Sequence, residues 1–361
     1  MINNFDSTIK LFLAGTVTPH LWFLAKPQSE PLVNISLRSW RLCERNNPFS
    51  EALPGRTLQG ITVGQLSSEL PIRPSLPYST GLKKKPKIIE TIAVLFYFLI
   101  RIENILGPYM INLTGQVALI TGGSRGIGAA TAKLFAKAGA DVAITYHGND
   151  SRANALVDEI QTLGRKAKAY KGDNSNNEVV KKIVEEVRRE FGRIDVLVNN
   201  AGIWTYGEIE SMSEDVWEET ISLNLKGTFL FCRYAVPIMK KQGGGNIINI
   251  SSTAGQRGEA KHSHYAASKG GVISFTKSLS TELAPYNIRV NSVAPGWVDT
   301  EMCDDVFSDK NYKEEVRRSI PLGRIPVGED IAGPVLFLAS DLARHITGEI
   351  LNVNGGSVLV G

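Results

Sequence analysis

From residue 117 to residue 353, short apolar runs alternate with stretches of helical length. Residues 117–121, 142–146, 167–171, 194–198, 246–250, 289–293 and 349–353 are apolar or β-branched runs of strand length. Between them, the stretch ending at Gly139 and residues 152–163, 177–191, 214–241, 264–284 and 331–339 have helical patterning. Strands this short and apolar, each separated from the next by a helix, need crossover connections. They therefore form a parallel sheet with both faces covered. The pattern predicts a doubly wound α/β domain over residues 110–361.

Residues 1–109 do not share this pattern. They hold 10 of the 16 prolines, and residues 28–86 have no strand–helix alternation, as expected of a disordered or loosely structured extension. The apolar run 11–25 is interrupted by Pro19 and His20, and Asp6 stands where a secretory signal needs positive charge. The run 88–102 follows Lys83, Lys84, Lys85 and Lys87, but Glu90 and Arg101 leave only residues 91–100 uncharged. A helix of that length rises about 15 Å, against a hydrocarbon core of about 30 Å. It is too short to span, and an interfacial helix is the less favoured alternative. Met110 opens a segment that reads as the start of a domain, so the upstream residues are either an extension or a product of start-site choice.

Charge separates the same two regions. Residues 1–109 carry 12 Lys/Arg against 7 Asp/Glu, and the remainder carries 28 against 29. The α/β region has no basic excess, which argues against a nucleic-acid partner. The three cysteines, Cys43, Cys232 and Cys303, are too widely spaced for a zinc site and fit reduced thiols in a cytoplasmic setting.

Where the first strand passes into the first helix lies Thr121-Gly122-Gly123-Ser124-Arg125-Gly126-Ile127-Gly128. Glycines allow the turn and let backbone approach a pyrophosphate, while a helix N-terminus offers free N–H groups. The spacing is looser than G-x-G-x-x-G, and its position in a strand–turn–helix supplies the specificity. The second strand ends Ile144-Thr145-Tyr146-His147, without the carboxylate that accepts from the ribose of NAD. Arg125 can pair a 2′-phosphate. NADP(H) is therefore favoured, with NAD(H) as the alternative.

Tyr265 and Lys269 are four residues apart on a predicted helix, and so share one face. A phenol with a pKa near 10 is a poor base, and a fixed cation beside it is expected to lower that value. Ser251 and Ser252 follow one strand, Asn199 and Asn200 another, and Pro295 and Gly296 a third. In a parallel sheet ligands bind beyond the carboxyl ends of the strands, so these residues converge on one rim. His262 and His264 flank the site without a carboxylate or third histidine at metal spacing, so a loop or substrate-wall role is expected rather than a metal.

Taken together, TGGSRGIG, NNAG, a serine thirteen residues before the tyrosine, YAASK, and PG followed by Thr300 resemble the short-chain dehydrogenase/reductase family over nearly all of residues 110–361. The resemblance implies a Rossmann-like, seven-stranded parallel sheet, a homotetramer or homodimer, and an NAD(P)-dependent enzyme interconverting a carbonyl and a secondary alcohol. It implies that Tyr265 exchanges the proton and that Lys269 lowers its pKa and holds the nicotinamide ribose. Ser252, rather than Ser251, would bond the substrate oxygen, and Asn224 would support a proton-relay water. Gly122, Ser124, Arg125, Gly126, Ile127 and Gly128 would hold the pyrophosphate. Asp173 and Asn174 would meet the adenine and Asn200 the ribose, while Pro295, Gly296, Val298 and Thr300 would flank the nicotinamide.

Within the family, residues 346–356 and 320–324 are most similar to 3-oxoacyl-(acyl-carrier-protein) reductases, enzymes of fatty acid biosynthesis, which implies an acyl-thioester substrate. Gly243 and Thr281 stand where such enzymes can present arginines to the acidic carrier, with Lys240 and Lys241 nearby. Glucose dehydrogenases and general carbonyl or alcohol reductases share the motifs and are the alternative. A nucleotide-binding sensor without turnover is disfavoured because Ser252, Tyr265, Lys269 and Asn224 are all present. The segment 303–321, which usually covers the substrate, is rich in charge and argues against a purely apolar lid.

Overall fold

A computed structural model of the protein describes residues 11–12, 22–23 and 111–359. The chain divides into two units, Met1–Ile100 and Arg101–Gly361. In the first, Leu11–Phe12 pairs antiparallel with Trp22–Phe23. The other expectations for residues 1–109, including the apolar run 88–102, lie outside the described residues.

In the second unit seven parallel strands form one sheet. They are β1 (Val117–Ile120), β2 (Asp141–Tyr146), β3 (Ala167–Lys171), β4 (Val196–Asn199), β5 (Gly245–Ile250), β6 (Ile288–Pro295) and β7 (Ile350–Val353). Their order is β3-β2-β1-β4-β5-β6-β7. The fold is the Rossmann-like doubly wound sheet that the alternation predicts. β1 pairs with β2 on one side and β4 on the other, so the winding reverses there. This switch point opens a crevice at the carboxyl ends of the strands. Every residue of β1 and β4 is buried, which explains why all of them but Asn199 are apolar.

The helices are α1 (Gly126–Lys137), α2 (Asp150–Thr162), α3 (Asn177–Phe191), α4 (Glu214–Ile221), α5 (Gly227–Gln242), α6 (Thr253–Arg257), α7 (Ser263–Leu283), α8 (Asp304–Phe307), α9 (Lys310–Ser319) and α10 (Gly328–Ala339). One apolar layer packs Phe135, Ile160 and Ile331 of α1, α2 and α10 against the sheet. The other packs Val184, Phe231 and Leu283 of α3, α5 and α7. α3 shows why these segments are helical. Val180, Ile183, Val184 and Val187 recur at helical spacing and are buried, each worth roughly 1.5–3 kcal/mol. The Asn176 side chain caps its N-terminus by accepting from Glu178 and Val179 N–H, and Gly192 ends it in the left-handed region.

Two segments depart from the periodicity. The stretch read as one helix over 214–241 is split by a π-helical turn, Ser222–Lys226. That turn puts Asn224 in the interior, fully buried. The segment 303–321 folds as α8 and α9 rather than an open loop. Phe307, Val316 and Ile320 form a small core with Cys303, and the charges stay outside, as where Glu314 pairs with Arg317 and Arg318.

Candidate active site

The glycine turn between β1 and α1 is closed on itself. A Cβ on Gly128 would lie 2.3 Å from the Gly122 carbonyl oxygen and 2.6 Å from Asn200 Nδ2, so no side chain fits. The Asn200 amide donates to the carbonyls of Thr121 and Gly122 (3.0 and 3.1 Å), and Thr121 Oγ1 accepts from Asn200 and Ala201 N–H. The loop after β4 therefore pins the turn after β1. Arg125 sits at the N-cap of α1 without a side-chain capping bond. Among the described residues its guanidinium has no hydrogen-bond or ion-pair partner.

These groups line a cleft of about 1200 Å³ along the carboxyl ends of the strands. Gly122, Ser124, Arg125, Gly126 and Ile127 form one end, with Asp173, Asn174 and Asn200 beside them. Asn174 is buried, and among the described residues its Oδ1 has no partner. Asp150, near the end of β2, is held by Lys171 at 2.8 Å. Ser252, Tyr265 and Lys269 stand mid-cleft, and Pro295, Gly296, Val298 and Thr300 close the β6 side. Two predicted residues lie behind the surface. Gly128 packs under its own loop, and Asn224 accepts from Ile203 N–H at 2.8 Å and donates to the Ile203 carbonyl at 2.9 Å and Ser268 Oγ at 3.1 Å.

Strand β5 and helices α6 and α7 build the centre. The two serines that follow β5 have different surroundings. Ser251 is buried and donates to the Lys269 carbonyl at 2.9 Å. The Ser252 hydroxyl stands close enough to the Tyr265 hydroxyl to lower its proton affinity, and it accepts from Ala254 N–H at 3.1 Å. Lys269 Nζ lies 5.8 Å from the centre of the Tyr265 ring.

The expected depression of the Tyr265 pKa by Lys269 is not the balance in the structure. Burial pushes the phenol above its ordinary value, and the Ser252 hydroxyl only partly offsets this. Burial also lowers the Lys269 ammonium to about 8. The buried phenol is thus held protonated at neutral pH, the state of a proton donor.

The far end of the cleft is aromatic, and of its residues the sequence singled out only the histidines. Trp204 stacks on His262 at 4.3 Å and meets Trp297 edge-on at 5.5 Å. Trp204 Nε1 donates to Glu259 at 3.3 Å. His264 is buried, its Nε2 3.0 Å from Thr205 Oγ1. Among the described residues no cluster of three or more His, Cys, Asp or Glu could hold a metal.

The profile of a family described as enoyl-(acyl carrier protein) reductase matches residues 122–357. The chain is 43% identical over 250 residues to the 3-oxoacyl-(acyl-carrier-protein) reductase of Thermotoga maritima, covering 69% of this chain and all of that protein. It is 44% identical to the enzyme of the same name from Staphylococcus aureus, covering 66% of this chain and 96% of that one. The chain belongs to the short-chain dehydrogenase/reductase family. It is an NAD(P)-dependent oxidoreductase. A solved short-chain alcohol dehydrogenase from Sinorhizobium meliloti superposes with a TM-score of 0.66 at 36% identity, over 68% of this chain and 97% of that one.

The cleft of this oxidoreductase fits a nicotinamide dinucleotide. The side-chain-free cradle at Gly128, the unpaired Arg125 and the partnerless Asn174 Oδ1 offer phosphate- and base-directed groups along one surface.

Proposed function

We propose that the enzyme reduces a 3-oxoacyl thioester to the 3-hydroxyacyl thioester with NADPH. The observation that carries the reading is the convergence of Ser252, Tyr265 and Lys269 in a cleft whose phosphate loop presents an unpaired arginine. The curated relatives that act on acyl-carrier-protein thioesters support the substrate class.

When bound, the cofactor supplies the hydride that the carbonyl carbon receives. Ser252 donates a hydrogen bond to the carbonyl oxygen and holds it against Tyr265. Tyr265 gives its phenolic proton to that oxygen as negative charge develops, completing the secondary alcohol. The Lys269 ammonium stabilises the phenolate left behind. Asn224 keeps Ile203 and the π-helical turn in place beneath the cleft, and Arg125 pairs the 2′-phosphate.

We further propose a cytoplasmic homotetramer or homodimer with a catalytic domain at residues 110–361. Among the described residues no helix is long and apolar enough to cross a membrane. Phe229 of α5, exposed and edge-on to Phe275 of α7, offers an apolar face for self-association.

The test is NADPH and NADH oxidation with acetoacetyl thioesters and simple ketones, and NADP+ and NAD+ reduction with sugars. Turnover highest with NADPH and the thioester is expected. Preference for a sugar or a simple ketone would replace the substrate assignment, and tight NADPH binding without turnover would point to a sensor.

A further inference from the structure

We propose that Glu259 is a selectivity residue of the substrate end of the cleft. Its carboxylate disfavours keto substrates that carry a negative charge beside the reacting carbonyl and leaves neutral thioesters, esters and amides favoured. The inference rests on reading the cleft as a carbonyl-reducing site.

The mechanism above makes no use of Glu259, yet its position is specific. It lies in the short segment between α6 and α7, six residues before Tyr265, and lines the cleft. Its side chain is only 25% exposed. Trp204 Nε1 fixes the carboxylate from one side at 3.3 Å, and His262 Nδ1 stands 3.7 Å away. His262 in turn lies under Trp204, with Nδ1 3.1 Å from the Ala260 carbonyl, so carboxylate, indole and imidazole form one rigid wall. The negative charge acts on Tyr265, and also on Cys303 and Tyr312 across the cleft, raising the proton affinity of each. A substrate whose carbonyl oxygen meets Tyr265 therefore lies within the field of Glu259.

Cations share the cleft, and the field of Glu259 is superposed on theirs: the Lys269 ammonium stands 5.8 Å from the centre of the Tyr265 ring and is the same in every variant compared below. Arg257 also lines the cleft, but it is exposed, so solvent screens it more than the half-buried carboxylate. Glu301 is paired with Arg152 at 3.1 Å, and Asp150 with Lys171. A free 3-oxo acid brings its carboxylate two bonds from the carbonyl carbon and meets like charge in a partly desolvated wall. A thioester, ester or amide does not, and an amide or pantetheine N–H is a hydrogen-bond donor that Glu259 can accept.

The experiment compares wild type, Glu259→Gln and Glu259→Asp, each with NADPH. kcat/KM is measured for acetoacetate and for ethyl acetoacetate. Calorimetric binding of acetoacetate and acetoacetamide to the NADPH complex is measured in parallel, with circular dichroism as a folding control. Glu259→Gln is expected to raise the acid-to-ester ratio and the acid-to-amide binding ratio by about ten-fold, while Glu259→Asp stays near wild type because it keeps the charge. Ratios within about two-fold of wild type in Glu259→Gln, or equal changes in both variants, overturn the proposal. If no variant turns over any ketone but the binding ratio shifts as expected, selectivity stands and the reductase reading fails.

Discussion

Lys269 Nζ donates a 2.8 Å hydrogen bond to the carbonyl of Ile250, the last residue of β5. This contact ties the catalytic face of α7 to the strand that delivers Ser252, and it holds an ammonium whose burial lowers its pKa to about 8. Raising the pH through that value removes the charge that stabilises the Tyr265 phenolate. The reduction rate is therefore expected to fall above about pH 8, as read from a kcat–pH profile. The stability effect has the opposite sign. The folded value lies below the ordinary lysine value of 10.5, so between the two the unfolded chain binds more protons. The contribution of this group to stability rises across that window, by up to about 1.4 kcal/mol per pH unit. The difference between wild type and Lys269→Met in denaturant unfolding at several pH values isolates it.

The neighbouring serines separate catalysis from structure. Ser252→Ala removes the hydroxyl beside Tyr265 and is expected to lower kcat/KM by about 10²–10³ with NADPH affinity retained. Ser251→Ala removes a buried bond to the Lys269 carbonyl and is expected to cost about 1 kcal/mol of stability with a much smaller kinetic effect. Steady-state kinetics and thermal unfolding of both variants check the contrast.

The parallel sheet and the order of motifs were readable because β1 and the first three residues of β4 are buried on both faces and leave apolar runs. The interruption at Asn224 was not, since residues 222–226 hold no Gly or Pro to mark a break in the helix. α9 was hidden for another reason: Val316 is its one buried side chain, so it carries no apolar stripe. Tyr265, Lys269 and Ser252 were visible by spacing. The sign of the Tyr265 shift depends on burial, which a helical spacing does not encode. The wall of Trp204, Glu259, His262 and Trp297 joins residues from three separate loops without a shared motif.

Two glycine substitutions should differ sharply in effect. Gly128→Ala forces a methyl against the Gly122 carbonyl and is expected to cost about 1–3 kcal/mol and to weaken NADPH binding. Gly333→Ala, within α10 but directly before Pro334, sets its methyl against the proline ring, which offsets the usual helical gain, so stability is expected to change by less than about 1 kcal/mol with binding unchanged. Thermal unfolding with and without NADPH distinguishes them.

Arg125→Ala tests cofactor choice. A charge-assisted bond to the 2′-phosphate is worth about 1.5–3 kcal/mol, so the NADPH-to-NADH affinity ratio is expected to fall by about 10- to 100-fold. Calorimetric titration with each cofactor reads the ratio directly. An unchanged ratio would move the discrimination elsewhere in the cleft.

The most direct test is NADPH oxidation by wild type and Tyr265→Phe with an acetoacetyl thioester, alongside NADPH affinity. The account predicts a loss of about 10²–10⁴ in kcat with affinity for NADPH preserved. Full turnover by the phenylalanine variant would contradict it.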